Sequence, residues 1–119
     1  MRQSSVIVDN MFAHVTPSQA RELIDSGAVA IVDVRNADEW ASGHVPGSRH
    51  VTLEQLRAAP TASLPTEGVL FVCAGGLRSQ TAARLAAHHG VRRVYSLTGG
   101  TRSWSNAGFP VSRTLSVAV

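Results

Sequence analysis

Short apolar runs alternate with amphipathic stretches along this chain, and the two periods predict its elements. The runs of strand length are Val6–Val8, Ala28–Val34 ("AVAIVDV"), His50–Val51, Val69–Val72 ("VLFV") and Arg93–Leu97 ("RVYSL"). The run from Ala28 is almost unbroken and rich in β-branched residues, the pattern of a strand covered on both faces in a parallel sheet. Between the runs the period changes. In "HVTPSQARELIDSGA", Thr16 serves as N-cap, Pro17 takes the first helical position, Gln19 closes a capping box and Gly27 stops the helix. Ala20, Leu23 and Ile24 then share one face. A second capping box, Thr52 with Gln55, opens a short helix in "TLEQLRAA". "RSQTAARLAAHHG" reads as a helix ending at Gly90, and "TRSWSNAG" as a last short helix before Pro110. Pro60 and Pro65 bracket a loop, and Gly99 and Gly100 form a turn.

Strands alternating with helices build βαβ units. The expectation is an α/β fold: one central, mainly parallel five-stranded sheet with helices on both faces. At 119 residues the chain has the length of one domain. We expect a single domain over residues 1–119, with 1–5 and 113–119 as loose ends.

Composition narrows the partners. The eleven basic residues are all arginine, and they are scattered rather than gathered into a stripe. The net charge of +3 therefore describes a solvated surface and predicts no nucleic-acid partner. Without lysine there is no Gly-Lys-Ser/Thr phosphate loop. No apolar run approaches the roughly 20 residues of a spanning helix, so no membrane partner is expected. The early segment "VIVDNMFAHV" is broken by Asp9 and Asn10 and leads to no small-residue cleavage site, which predicts a cytoplasmic protein. One cysteine cannot form an internal disulfide.

That cysteine carries the chemistry. A free cysteine is often a buried apolar filler, but Cys73 ends an apolar strand and opens "AGGLRS" toward a helix. Ligands of open parallel sheets sit beyond the carboxyl ends of the strands. Gly75 and Gly76 let successive N–H groups turn inward, and with Arg78 and the helix start they favour an anion at the loop's centre. Such a loop stabilises a thiolate nucleophile and binds an anionic substrate.

Cys73, Gly76 and Arg78, spaced C-x-x-G-x-R and followed by Ser79, resemble the active-site loop of the rhodanese family of sulfurtransferases. "DVRNADEWASGHVPGS" (Asp33 to Ser48) is similar to that family's first signature, and "LTGGTRSWSNAGFPV" (Leu97 to Val111) to its closing segment. Related phosphatases have five residues between cysteine and arginine; here there are four, Ala74, Gly75, Gly76 and Leu77. The resemblance implies a single-domain thiosulfate sulfurtransferase. Cys73 would take a sulfane sulfur from thiosulfate or a persulfide, and would pass it to cyanide, a small thiol or a protein thiol. Ala74, Gly75, Gly76, Leu77, Arg78 and Ser79 would bind the anionic substrate, with Arg78 pairing with donor oxygens or ordering the loop. No metal or organic cofactor is implied, and the acceptor must be external. The alternatives are a non-catalytic or carrier-type interaction module and, behind it, a phosphatase-like hydrolase.

Asp33, at the end of a buried strand, is expected with Arg35 and Glu39 to organise neighbouring loops rather than to do chemistry. His44 is expected in a turn or packing role. Adjacent His88 and His89 do not share a helix face, so a two-histidine metal site is not expected. Trp40 and Trp104 read as core or pocket-rim aromatics.

Overall fold

A computed structural model describes residues 7–8, 11–62 and 64–113. Among these residues six strands form one sheet in the order β1-β2-β6-β5-β3-β4. They are β1 (Ile7–Val8), β2 (Ala13–Val15), β3 (Ala30–Asp33), β4 (Arg49–His50), β5 (Glu67–Val72) and β6 (Arg92–Leu97). The five strands β2 to β6 run parallel, as the alternation predicts. The first predicted strand is an antiparallel edge, pairing Ile7 with His14 and Val8 with Ala13. The parallel strand beside β6 is instead Ala13–Val15, which no periodicity marks. It is three residues long and runs straight into the Thr16 cap, so its strand character comes from pairing with Tyr95, Ser96 and Leu97. The two predicted loose ends lie outside the described residues, apart from Arg113.

Helices α1 (Pro17–Asp25), α2 (Ala37–Ser42), α3 (Leu53–Ala58), α4 (Arg78–His88) and α5 (Gly100–Asn106) fill the connections. Both predicted capping boxes form: Thr16 and Thr52 accept from the amides of Gln19 and Gln55 at 3.2 and 3.1 Å, and each glutamine returns a bond. Helix α2 is the helix that the sequence pattern did not predict. At six residues it is too short to show a period, and its Glu39 accepts from the Asn36 amide at 2.9 Å.

The central strand β5 shows why its sequence is apolar throughout. Val69, Phe71 and Cys73 enter a cluster with Leu56 and with Ala82, Ala83 and Ala86 of α4. Leu70 and Val72 enter a second cluster, on the other face, with Ala20 of α1 and Trp104 of α5. Each fully buried side chain of this size contributes about 1.5 to 3 kcal/mol. Cys73 thus continues the strand's alternation and sits at the sheet's carboxyl end. The indole Nε1 of Trp104 donates to the carbonyl of Pro110 at 2.7 Å, tying α5 to the segment that follows it.

Candidate functional site

Three segments meet at the carboxyl ends of β3, β5 and β6. The loop from Cys73 to Leu77 leads into α4, and the Cys73 thiol is buried, 1% exposed. Its sulfur accepts from the amides of Gly76 at 3.1 Å and Ser79 at 3.2 Å, and its S–H donates to Ser79 Oγ at 3.5 Å. The Ser79 hydroxyl is in turn 2.8 Å from that of Ser96 on β6. Among the described residues the amides of Ala74, Gly75, Leu77 and Arg78 donate to no protein acceptor. The loop therefore holds its sulfur with two N–H groups and keeps others unspent. Leu77 turns its side chain outward, 77% exposed, so only its backbone belongs to the loop.

The glycines of the closing segment set the loop's position. Gly99 and Gly100 both have left-handed φ, and a Cβ on Gly100 would collide with the carbonyls of Cys73 and Ala74. That close approach lets the amides of Thr101 and Arg102 bond those carbonyls at 2.8 and 3.2 Å. The glycine pair is thus more than a turn, because it lets α5 clamp the cysteine loop.

Two arginines near the loop are engaged with carboxylates. Arg78 reaches Glu39 of α2 with both terminal nitrogens, at 2.8 and 3.0 Å. The guanidinium's hydrogen bonds hold the Glu39 carboxyl down at about 2 against the opposing effect of burial, with the Asn36 amide adding to the lowering. The same pairing raises Arg78 above its ordinary value. Arg35, 5% exposed, lies against the fully buried Asp33: its amide, Nε and Nη2 donate to the carboxylate at 2.8 to 3.1 Å, and Nη2 also reaches the carbonyl of Gly43 at 2.7 Å. Through Glu39, Arg78 ties the start of α4, just after the cysteine loop, to α2.

His44 stacks on Trp40 with ring centroids 3.5 Å apart and donates from Nδ1 to the Trp40 carbonyl at 2.9 Å. His50 Nε2 donates to the Arg35 carbonyl at 2.7 Å. Both histidines pack the base of the first signature. Among the described residues no three His, Cys, Asp or Glu side chains converge as metal ligands, and no helix is long and apolar enough to cross a membrane. Ser96 and Arg102 escaped the sequence reading. Ser96 carries no local signal, since only strand order brings it to Ser79; Arg102 could have been found by its place just after the glycine pair.

A groove of about 410 Å³ runs away from the loop between α2 and α5, lined by Ser42, Gly43, Thr101, Arg102, Ser105, Asn106 and Val111. The arrangement suits a sulfur nucleophile that must carry a negative charge through an intermediate.

Comparison with known proteins agrees with this picture. The family model of the rhodanese-like domain matches residues 16–107. A thiosulfate sulfurtransferase GlpE of Ectopseudomonas mendocina is 39% identical over 99 residues, covering 83% of this chain and 89% of the relative. The structure of the human single-domain sulfurtransferase TSTD1 superposes with a TM-score of 0.71 at 27% identity, over 78% of this chain and 95% of that one. A Rhodopseudomonas palustris protein of unknown function, described as a possible tyrosine phosphatase, superposes with a TM-score of 0.74 at 30% identity, over 94% and 99% of the two chains.

Proposed function

The chain belongs to the rhodanese-like domain family, and from that premise we propose that Cys73 is the sulfur-carrying nucleophile of a thiosulfate sulfurtransferase. The observation that carries this reading is the sulfur of Cys73 accepting two backbone N–H groups inside a loop whose remaining amides are unpaired among the described residues.

In the first step the Cys73 thiolate attacks the outer sulfur of thiosulfate. A new S–S bond forms, the donor's S–S bond breaks, and sulfite leaves with the electron pair. The anionic persulfide on Cys73 is held by the loop amides from Ala74 to Ser79, the same donors that favoured the thiolate. An external acceptor then attacks the terminal sulfur: cyanide leaves as thiocyanate, a thiol as its persulfide, and the Cys73 thiolate returns. Two covalent half-reactions predict ping-pong kinetics. Arg78 serves by fixing the loop through Glu39, and Asp33 with Arg35 braces the neighbouring strand exit. We assign the chemistry to the cytoplasm, where external thiols are kept reduced.

Phosphate-ester hydrolysis fits less well. Four residues rather than five separate Cys73 from Arg78, and the carboxylates of Asp33 and Glu39 are both committed to arginines. The deciding experiment is intact mass after thiosulfate alone, together with thiosulfate:cyanide turnover and hydrolysis of p-nitrophenyl phosphate, on the wild type and Cys73→Ser. We expect one sulfur gained by the wild type only, thiocyanate formed, and no phosphate released. A Cys73 that stays unmodified by thiosulfate and by a persulfide donor would overturn the proposal.

A further inference from the structure

A donor such as thiosulfate brings negative charge to the loop and, as sulfite, carries it away, so the site needs a cation at its mouth. Arg78 is the obvious choice by sequence, but both of its terminal nitrogens are held by Glu39, and the buried Arg35 is spent on Asp33 and Gly43. Arg102 differs from both. It is exposed, and among the described residues its guanidinium has no ion pair or hydrogen-bond partner. Its backbone amide is bonded to the Ala74 carbonyl, which fixes where the side chain starts. Its Nη1 lies over Gly75, 3.2 Å from where a Cβ on that glycine would stand. Of the seven described residues lining the groove beside the loop, Arg102 alone is charged; the others are hydroxyl, amide, glycine and valine side chains.

Resting on the sulfurtransferase reading, we propose that Arg102 is the specificity-determining cation of this site. It receives the anionic oxygen end of the sulfur donor at the head of the α2–α5 groove, with the sulfane sulfur directed to Cys73, while Arg78 holds the loop. The consequence is selection for donors with an oxyanion group near the transferable sulfur.

The test compares the wild type with Arg102→Lys, Arg102→Ala and Arg102→Glu, with thiosulfate as donor and cyanide in excess. Removing a charge-assisted hydrogen bond predicts a thiosulfate KM raised about 10- to 100-fold in the alanine variant. The rise should be larger in the glutamate variant and within about 3-fold of wild type in the lysine variant, where charge is retained. Turnover at saturating donor should change little, since Arg102 does not touch the reacting sulfur. A second readout does not depend on sulfur transfer: alkylation of Cys73 by anionic iodoacetate should slow about 10-fold in Arg102→Ala, while neutral iodoacetamide reacts at the wild-type rate. If KM and the iodoacetate-to-iodoacetamide ratio are both unchanged in the alanine and glutamate variants, the role of Arg102 is refuted. If the wild type takes up no sulfur at all, the sulfurtransferase reading has failed instead, and the alkylation ratio alone decides whether Arg102 selects anions.

Discussion

The exits of β3 and β5 lie side by side, with Asp33 paired to Val72 in the sheet and the Val34 amide bonded to the Val72 carbonyl at 2.9 Å. Each places a chemically capable group, a carboxylate or a thiol, at the same end of the same sheet, and each is buried. They differ in what surrounds that group. At the β3 exit the carboxylate of Asp33 is filled by three donors of Arg35, and His50 occupies the Arg35 carbonyl. At the β5 exit the sulfur has two amide donors, and the loop around it keeps further amides and the Arg102 guanidinium without protein partners among the described residues. A buried polar group whose partners are all internal braces the fold; one surrounded by unspent donors can accept a substrate. The difference between scaffold and chemistry at this sheet edge lies in satisfaction rather than in residue type.

The largest expected effect breaks the β5 side alone. Cys73→Ser should lower sulfur transfer by about 10⁴-fold or more, about 5.5 kcal/mol of barrier, because the covalent intermediate has no nucleophile. Its urea midpoint should stay close to wild type, since a hydroxyl can accept the same two amides. Breaking the β3 side should do the reverse. Arg35→Ala leaves a fully buried carboxylate without its counter-charge, a change that costs about 3 to 5 kcal/mol of stability. Chemical denaturation would read that loss, and a variant as stable as wild type would show that Asp33 finds other partners.

Much of this contrast was legible before the structure. The strand-length runs gave four of the five parallel strands, and the capping boxes marked the first residues of α1 and α3. The Cys73 loop announced itself by its glycines and its place after a buried strand. What was not legible depends on contacts distant in sequence. Strand β2 is defined by its partner β6, helix α2 is shorter than two turns, and the Ser79–Ser96 bond joins residues on different strand connections. The engagement of Arg78 by Glu39 spans 39 positions. A spacing motif can say that an arginine belongs to the loop, but not which carboxylate has already claimed it.

The clamp from α5 offers an intermediate perturbation. Gly100→Ala forces a side chain into a left-handed conformation and against the carbonyls of the cysteine loop. We expect a loss of about 2 to 3 kcal/mol in stability. Sulfur transfer should also fall about 10- to 100-fold, the scale on which small displacements of a reacting group act. Gly90→Ala, at another left-handed glycine but one with open space around its Cβ position and remote from the loop, is the control. It should share part of the stability loss and leave transfer unchanged; equal transfer in both variants would remove the clamp from the account.

The smallest effect tests the tie between the two exits. Among the described residues Glu39 is the one acidic side chain that links the first signature to the cysteine loop, and its carboxyl is lowered from 4.5 to about 2, chiefly by its hydrogen bonds from Arg78. A depressed folded-state value means that the unfolded chain binds the proton more readily. The contribution is therefore complete above about pH 4.5 and is lost as pH falls toward 2. Because both side chains are about one-third exposed, at 35% and 32%, water screens the pair, and its contribution is nearer 1 kcal/mol than the full value of the shift. Glu39→Gln should accordingly lower stability by about 1 kcal/mol at pH 7, and the gap to wild type should close between pH 4.5 and 2 in urea titrations across that range. Transfer should fall only a few fold, because the loop keeps its clamp to α5. A gap that stayed constant with pH would mean that the loss does not come from the charge pair with Arg78, since a glutamine at this position still accepts from the Asn36 amide.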